Sequence, residues 1–164
     1  MRAIVSLLSL SLMFLFCAAP ASAAKRITQA DVAALLQELD AASIRNDYQV
    51  LINRLSADAR VRWVGTLGGN SIAYNYSKKT LIERIRRYES DPHRREIRVV
   101  KIDRQETDLR LAPSGQRAVV SSGYVVHGEN ARGPYSLTGR DELTIIVRGG
   151  RLWIIEYLFD TNLR

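Results

Sequence analysis

The sequence predicts an α+β domain in which N-terminal helices cover one face of a curved antiparallel sheet. Apolar residues recur with a helical period of about 3.6 in three segments before residue 90 and with a strand period of about 2 from residue 97 onward. Turn residues at 113–115 and 149–150 separate the long strand patterns. Helices followed by consecutive hairpins are typical of α+β domains.

The helical part begins at a capping signature, in which Asp31 follows Thr28 by three residues. An apolar stripe then predicts a first helix that continues to about residue 44. A shorter helix is predicted over 48–55, and a third helix begins at a Ser N-cap and covers 77–90.

Strand patterns account for the rest of the chain. A short strand is predicted at 59–64, followed by a polar, glycine-containing loop at 65–76. Gly149 and Gly150 predict a tight hairpin because glycine accepts a positive φ. The remaining predicted strands are 97–111, 118–127, 135–147 and 152–160.

The first 23 residues have the pattern of a cleavable secretory signal peptide. A positive charge precedes an apolar stretch at 4–16, and Ala21-Ser22-Ala23 forms a cleavage site of small residues. The apolar run is shorter than the roughly 20 residues that cross a bilayer. A bulky residue precedes Cys17, which argues against a lipoprotein signal. We therefore expect residues 24–164 to form one periplasmic or secreted domain without stable membrane insertion.

Export changes what the composition implies. Cys17 is the only cysteine, so the processed chain has none for disulfides or metal ligation. The two histidines, His93 and His127, lie in different elements, and we expect no metal site and no cofactor. The net charge is +7, and the basic residues concentrate between Arg84 and Arg104, where acidic residues are interleaved with them. Alternating charges mark a solvated face, so we expect no nucleic-acid partner.

The order of these elements resembles that of the nuclear transport factor 2-like superfamily, which contains SnoaL-like proteins and relatives of ketosteroid isomerase. The resemblance covers residues 28–160 and implies a cone-shaped domain with an open apolar pocket and dimerisation through the sheet. The matching segments are Ile44-Arg45-Asn46-Asp47-Tyr48, Leu55-Ser56-Ala57-Asp58-Ala59, Ser77 to Ile85, and Arg148-Gly149-Gly150-Arg151-Leu152-Trp153-Ile154-Ile155.

The residues at the isomerase positions argue against isomerase chemistry. That reaction needs a carboxylate base, and a phenol and a protonated carboxylic acid to stabilise an enolate oxygen. The resemblance puts Trp63 at the base position and Leu39 at the phenol position, and neither side chain has the required chemistry. Asp141 alone is retained, at the acid position.

Asp141 is therefore the best candidate for a catalytic residue. Strand alternation places it on an otherwise apolar face, where a carboxylate is costly unless it is paired or neutralised. Two alternatives stay open. The register could slip near Gly139 and turn Glu142 inward instead, or Asp141 could form a structural salt bridge with a neighbouring arginine.

Aromatic residues on the strands predict the walls of the pocket. With Asp141, the candidates are Trp63, Tyr124, Trp153 and Tyr157, although such residues are also common in ordinary cores. Apolar residues occur on both faces of the last predicted strand, which indicates a partner on its outer side and favours a homodimer.

These observations predict an exported, non-catalytic module that binds a small apolar molecule or an envelope protein. One alternative is a small-molecule lyase or isomerase that uses Asp141 with Tyr124 or His127. The other is an accessory component of a cell-envelope assembly that uses the basic surface at 84–104.

Overall fold

The computed structural model describes residues 25–67, 70–91 and 98–162, and the predicted signal peptide lies outside them. No helix within these residues is long and apolar enough to span a membrane. The elements are α1 (Gln29–Ile44), α2 (Tyr48–Arg54), β1 (Leu55–Leu67), β2 (Asn70–Ser77), α3 (Lys78–Ser90), β3 (Arg98–Leu111), β4 (Arg117–Asn130), β5 (Gly133–Arg148) and β6 (Arg151–Asn162).

The six strands form one large, curved and unclosed sheet in the order β2-β1-β6-β5-β4-β3, and the helices pack on one face. This confirms the predicted α+β class. The prediction of an antiparallel sheet needs one correction, because β1 and β6 run parallel. The other neighbours are antiparallel. No hairpin joins β1 to β6, since four strands and a helix separate them in sequence, so their direction is not set by a turn.

The predicted helix caps are confirmed. The Asp31 amide donates to Thr28 Oγ1 over 3.1 Å, and the Thr28 amide donates to the Asp31 carboxylate over 3.0 Å, which completes a capping box. Ser77 Oγ accepts from the Thr80 amide over 3.2 Å at the start of α3. The apolar stripe of α1 is buried against the sheet at Val32, Leu35, Leu36, Leu39 and Ala42.

Strand β2 is a difference from the sequence prediction, which assigned residues 65–76 to a loop. β2 is an edge strand that is mostly exposed, so its polar residues show little burial pattern. It pairs with β1, and the rings of Trp63 and Tyr74 stack with their centroids 5.4 Å apart. Cross-strand aromatic contacts of this kind stabilise a sheet.

A bulge in β6 shifts the alternation of its side chains between the two faces of the sheet. Ile145 pairs with Ile154, but the preceding Thr144 pairs with Glu156, which leaves Ile155 as an extra residue. Ile154 is fully buried in the core, and beyond the bulge Tyr157 packs against the same core. Strict alternation would put Trp153 and Tyr157 on one face, because four positions separate them. The bulge puts them on opposite faces, and Trp153 lies on the outer one.

Candidate functional site

Asp141 lies on β5 opposite Ser122 of β4, on the face that the helices cover. Its side chain is 1 % exposed. Ser122 Oγ donates to Oδ1 over 2.8 Å, and Arg104 Nη1 lies 3.1 Å from Oδ1 and 2.9 Å from Oδ2. The register therefore does not turn Asp141 to solvent, and the structural salt bridge is the arrangement found.

Arg104 also binds a second carboxylate, which comes from α1. Its Nε and Nη2 donate to the two oxygens of Asp40 over 2.7 and 2.8 Å, a bidentate pair that ties the helix to the sheet. Nη1 further donates to Ser122 Oγ over 2.6 Å. We call Asp40, Arg104, Ser122 and Asp141 the Arg104 cluster; it has two formal negative charges and one positive charge.

The electrostatics of the cluster keep Arg104 charged. Burial opposes the charge, but hydrogen bonds and the charges of Asp40 and Asp141 outweigh it and raise the pKa of Arg104 above its ordinary value. Both oxygens of Asp141 already accept hydrogen bonds, and its side chain is 1 % exposed. The role that this arrangement supports for Asp141 is a structural one.

Two tyrosines lie beside the cluster. Burial raises the pKa of Tyr124, and the charge of Asp141 raises it further. The same two causes, burial first, raise the pKa of Tyr157. Both phenols therefore stay protonated at neutral pH. The Tyr124 hydroxyl donates to the Asp160 carbonyl over 3.3 Å.

A cavity of about 120 Å³ opens between α1, α2 and β6, and we call it the helix cavity. Its walls are mainly apolar and aromatic, with Ser43 and Asp47 at the exposed side. The Tyr157 hydroxyl has no hydrogen-bond partner among the residues that the structure describes. The other wall residues are Leu39, Ala42, Tyr48, Leu51 and Phe159.

The five predicted pocket residues do not line one cavity, although Tyr124 and Tyr157 lie beside Asp141. Tyr157 lines the helix cavity, whereas Trp63, Tyr124 and Asp141 lie on the same face of the sheet outside its walls. Trp63 Nε1 donates to Thr161 Oγ1 over 2.8 Å.

Trp153 lies at the β5–β6 hairpin on the outer face. Its Nε1 donates to the Arg148 carbonyl over 3.3 Å, and the Arg151 guanidinium carbon lies 4.7 Å from its ring centroid. These contacts belong to the hairpin, so Trp153 is not a wall of the helix cavity.

His127 lies on the outer face and cannot act with Asp141, which faces the helices. Its Nδ1 lies 3.0 Å from Ser136 Oγ, and its Nε2 lies 3.3 Å from Asp103 Oδ2. His93 falls outside the described residues. Within the described part of the chain, no group of three or more His, Cys, Asp or Glu side chains is placed to hold a metal.

The sequence interpretation missed Arg104 and Asp40 as site residues. Arg104 was assigned to the basic surface, yet its side chain is only 17 % exposed. A bulge between Gln105 and Thr107 sets which residues of β3 face the helices. A usable signal was present, because Arg104 lies two residues beyond the apolar Ile102 and so shares its face.

Solved structures of similar fold are known, although no protein-family profile and no curated protein sequence matches the chain. The beta subunit of benzoate 1,2-dioxygenase from Burkholderia mallei superposes with a TM-score of 0.69 at 18 % identity, covering 84 % of this chain and 92 % of that one. An NTF2-like protein from Cytophaga hutchinsonii superposes with a TM-score of 0.56 at 18 % identity, covering 82 % of this chain and 98 % of that one.

A candidate scytalone dehydratase from Novosphingobium aromaticivorans gives a TM-score of 0.59 at 10 % identity, covering 80 % of this chain and 82 % of that one. These likenesses show that the chain has the nuclear transport factor 2-like α+β fold, as its sequence predicts. A shared fold at such identities does not transfer an activity, because this scaffold carries enzymes and other proteins alike.

Proposed function

We propose that this chain is a non-catalytic binding module that holds the apolar end of a small molecule in the helix cavity. The observation that carries the proposal is the contrast between two sites. The helix cavity is open and walled by apolar and aromatic side chains, which is how small-molecule sites are built. The carboxylate predicted to be catalytic is closed off by Arg104 and Ser122.

The size of the cavity limits the ligand. Its volume of about 120 Å³ is close to that of an engineered cavity of roughly 150 Å³ that binds benzene. The cavity therefore accepts a group about as large as one six-membered ring. A larger molecule would leave its remaining part at the rim, where Ser43 and Asp47 are exposed.

A blocked cavity tests this proposal. Ser43→Phe introduces a ring at the cavity wall without touching a buried residue, and Ile44→Phe adds the same ring next to it but outside the wall. We expect a ring-sized ligand at 100 times its Kd to stabilise the wild type and the Ile44 variant by about 2.7 kcal/mol. The Ser43 variant should gain almost nothing in the same thermal-shift series. Equal stabilisation of all three proteins would refute a ligand in this cavity.

An enzymatic alternative, a lyase or isomerase that uses Asp141, is suggested by the fold likeness to the candidate dehydratase. The closed hydrogen-bond shell of Asp141 argues against it. Because Asp141→Asn removes the charge but keeps the shape, an enzyme of this kind would lose its turnover with that variant.

We also propose that the domain acts outside the cytoplasm as a homodimer. The signal-peptide pattern supports export, and N-terminal sequencing of protein from the native cells should begin at Ala24. The outer face of β6 supports a partner, because Leu158 is exposed there and Trp153 lies on the same side. Light scattering should give twice the monomer mass for the wild type and the monomer mass for Leu158→Asp. A monomeric wild type would refute the dimer.

The envelope-assembly alternative depends on the basic surface. Arg84, Arg86 and Arg87 are exposed on α3, so a basic patch exists even though Arg104 points inward. Association through these charges would weaken strongly between low and high salt, because screening acts on exposed charges. Salt-insensitive association would argue against this alternative.

A further inference from the structure

We propose that the helix cavity selects a small organic cation, an alkylammonium group, over a neutral group of the same shape. This inference rests on the proposed binding function and specifies the chemistry of the ligand. Three features of the site carry it: the aromatic walls, a free carboxylate at the rim, and the net negative charge behind one of the rings.

The aromatic walls come from two elements that meet at the cavity. Tyr157 and Phe159 project from β6 with their ring centroids 5.2 Å apart and their planes at 48°. Tyr48 contributes a third ring from the first turn of α2. The faces of aromatic rings are electron-rich, and several rings around one space are the known chemistry of quaternary-ammonium recognition.

Asp47 supplies a negative charge at the rim. It occupies the N-cap position of α2, but its side chain makes no capping hydrogen bond. Among the described residues it also has no ion-pair partner. Among the described residues, the cavity wall contains no Lys, Arg or His, and Asp47 is its single charged residue. A carboxylate in this position attracts a cation and repels an anionic ligand.

The Arg104 cluster adds negative charge on the side of Tyr157 that faces away from the cavity. Its two carboxylates outnumber its one guanidinium, which leaves a formal charge of −1. Burial is the main cause of the raised pKa of Tyr157; the charge of Asp141 raises it further, and that of Arg104 opposes this effect. The cavity is therefore negative both at its mouth and behind the Tyr157 ring.

The volume of the cavity is consistent with a compact ammonium group. A trimethylammonium head is rounder than benzene and has fewer heavy atoms, so it fits within about 120 Å³. Any chain attached to the nitrogen would extend past Ser43 and Asp47 into solvent. A cation carried on a longer molecule thus meets the walls with its methyl groups and the carboxylate with its charge.

Two probes of equal shape separate charge from size. Choline and 3,3-dimethylbutan-1-ol differ only in having nitrogen or carbon at the branching atom. We expect choline to bind the purified protein about tenfold more tightly in isothermal titration calorimetry at low salt. Equal affinities would overturn the cation inference and leave the proposed function intact. Failure of both probes, together with failure of the ring-sized ligands, would overturn both proposals.

Matched variants assign the preference to the rim carboxylate. Asp47→Asn should reduce the affinity for choline about fivefold and leave that for the neutral alcohol unchanged. Asp108→Asn, which removes an exposed carboxylate on the outer strand β3, should change neither affinity. Phe159→Leu tests the aromatic wall and should weaken choline more than the alcohol. Losses of equal size for the two probes in the Asp47 and Phe159 variants would contradict the inference.

Discussion

Replacing Arg104 with methionine should destabilise the protein by about 3 kcal/mol. The substitution removes the guanidinium that contacts Asp40, Ser122 and Asp141 and leaves the Asp141 carboxylate, 1 % exposed, without a counter-charge. Breaking a buried ion pair in this way costs about 3–5 kcal/mol. The lower end applies because Asp40 and Arg104 are 18 % and 17 % exposed, so water can relieve part of the loss.

Urea denaturation at pH 7 measures this loss. Arg110→Met is the matched control, because Arg110 is 66 % exposed and forms only surface ion pairs. The free energy of unfolding of the Arg110→Met variant should differ from that of the wild type by less than about 1 kcal/mol. The double variant Arg104→Met/Asp141→Asn should recover part of the stability, since it removes the uncompensated charge. A loss below about 1 kcal/mol for Arg104→Met alone would refute the view that the cluster ties α1 to the sheet.

Three further predictions concern the same face of the sheet. Gly139→Ala should lower the free energy of unfolding by about 1–3 kcal/mol, because a Cβ there would lie 2.4 Å from the Tyr124 ring. Gly123→Ala is the control in the same urea series and should be tolerated, because the nearest atoms to its Cβ lie at 3.8 Å. Tyr124 and Tyr157 should resist ionisation in an ultraviolet pH titration of the folded protein, since the pKa of each is raised. Because the pKa of each tyrosine is higher in the folded than in the unfolded protein, the free energy of unfolding should stay constant below pH about 10 and fall at higher pH. Urea denaturation at pH 9 and at pH 11 would show this loss. Asp141→Asn should lower the free energy of unfolding by about 1–3 kcal/mol but leave the affinity of a neutral, ring-sized ligand for the helix cavity unchanged by calorimetry. Loss of that binding would place Asp141 in the site.

Much of the fold could be predicted because local chemistry determines it. The Thr28–Asp31 capping box and the Ser77 cap set where α1 and α3 begin, and the structure has both. The hairpin at Gly149 and Gly150 follows from their positive φ values of 58° and 72°. These features depend on neighbours within a few residues, so a single sequence contains the information.

The site could not be predicted in the same way, because it depends on contacts between distant residues. Asp40 and Arg104 are 64 positions apart and meet only when α1 packs on β3. The bulge at Ile155 was also hidden, because one extra residue changes the face of a strand without changing its composition. Alternation therefore gave the correct face for Asp141 on β5 and the wrong grouping for Trp153 on β6.

Native mass spectrometry of the protein purified from its own cells tests the central claim most directly. The account predicts a small molecule bound to each subunit of the wild type and of Ile44→Phe, and none bound to Ser43→Phe. An unliganded wild type that also fails to take up ring-sized probes or choline would contradict a ligand-binding role. A ligand retained by the Ser43 variant would show that binding occurs elsewhere than between α1, α2 and β6.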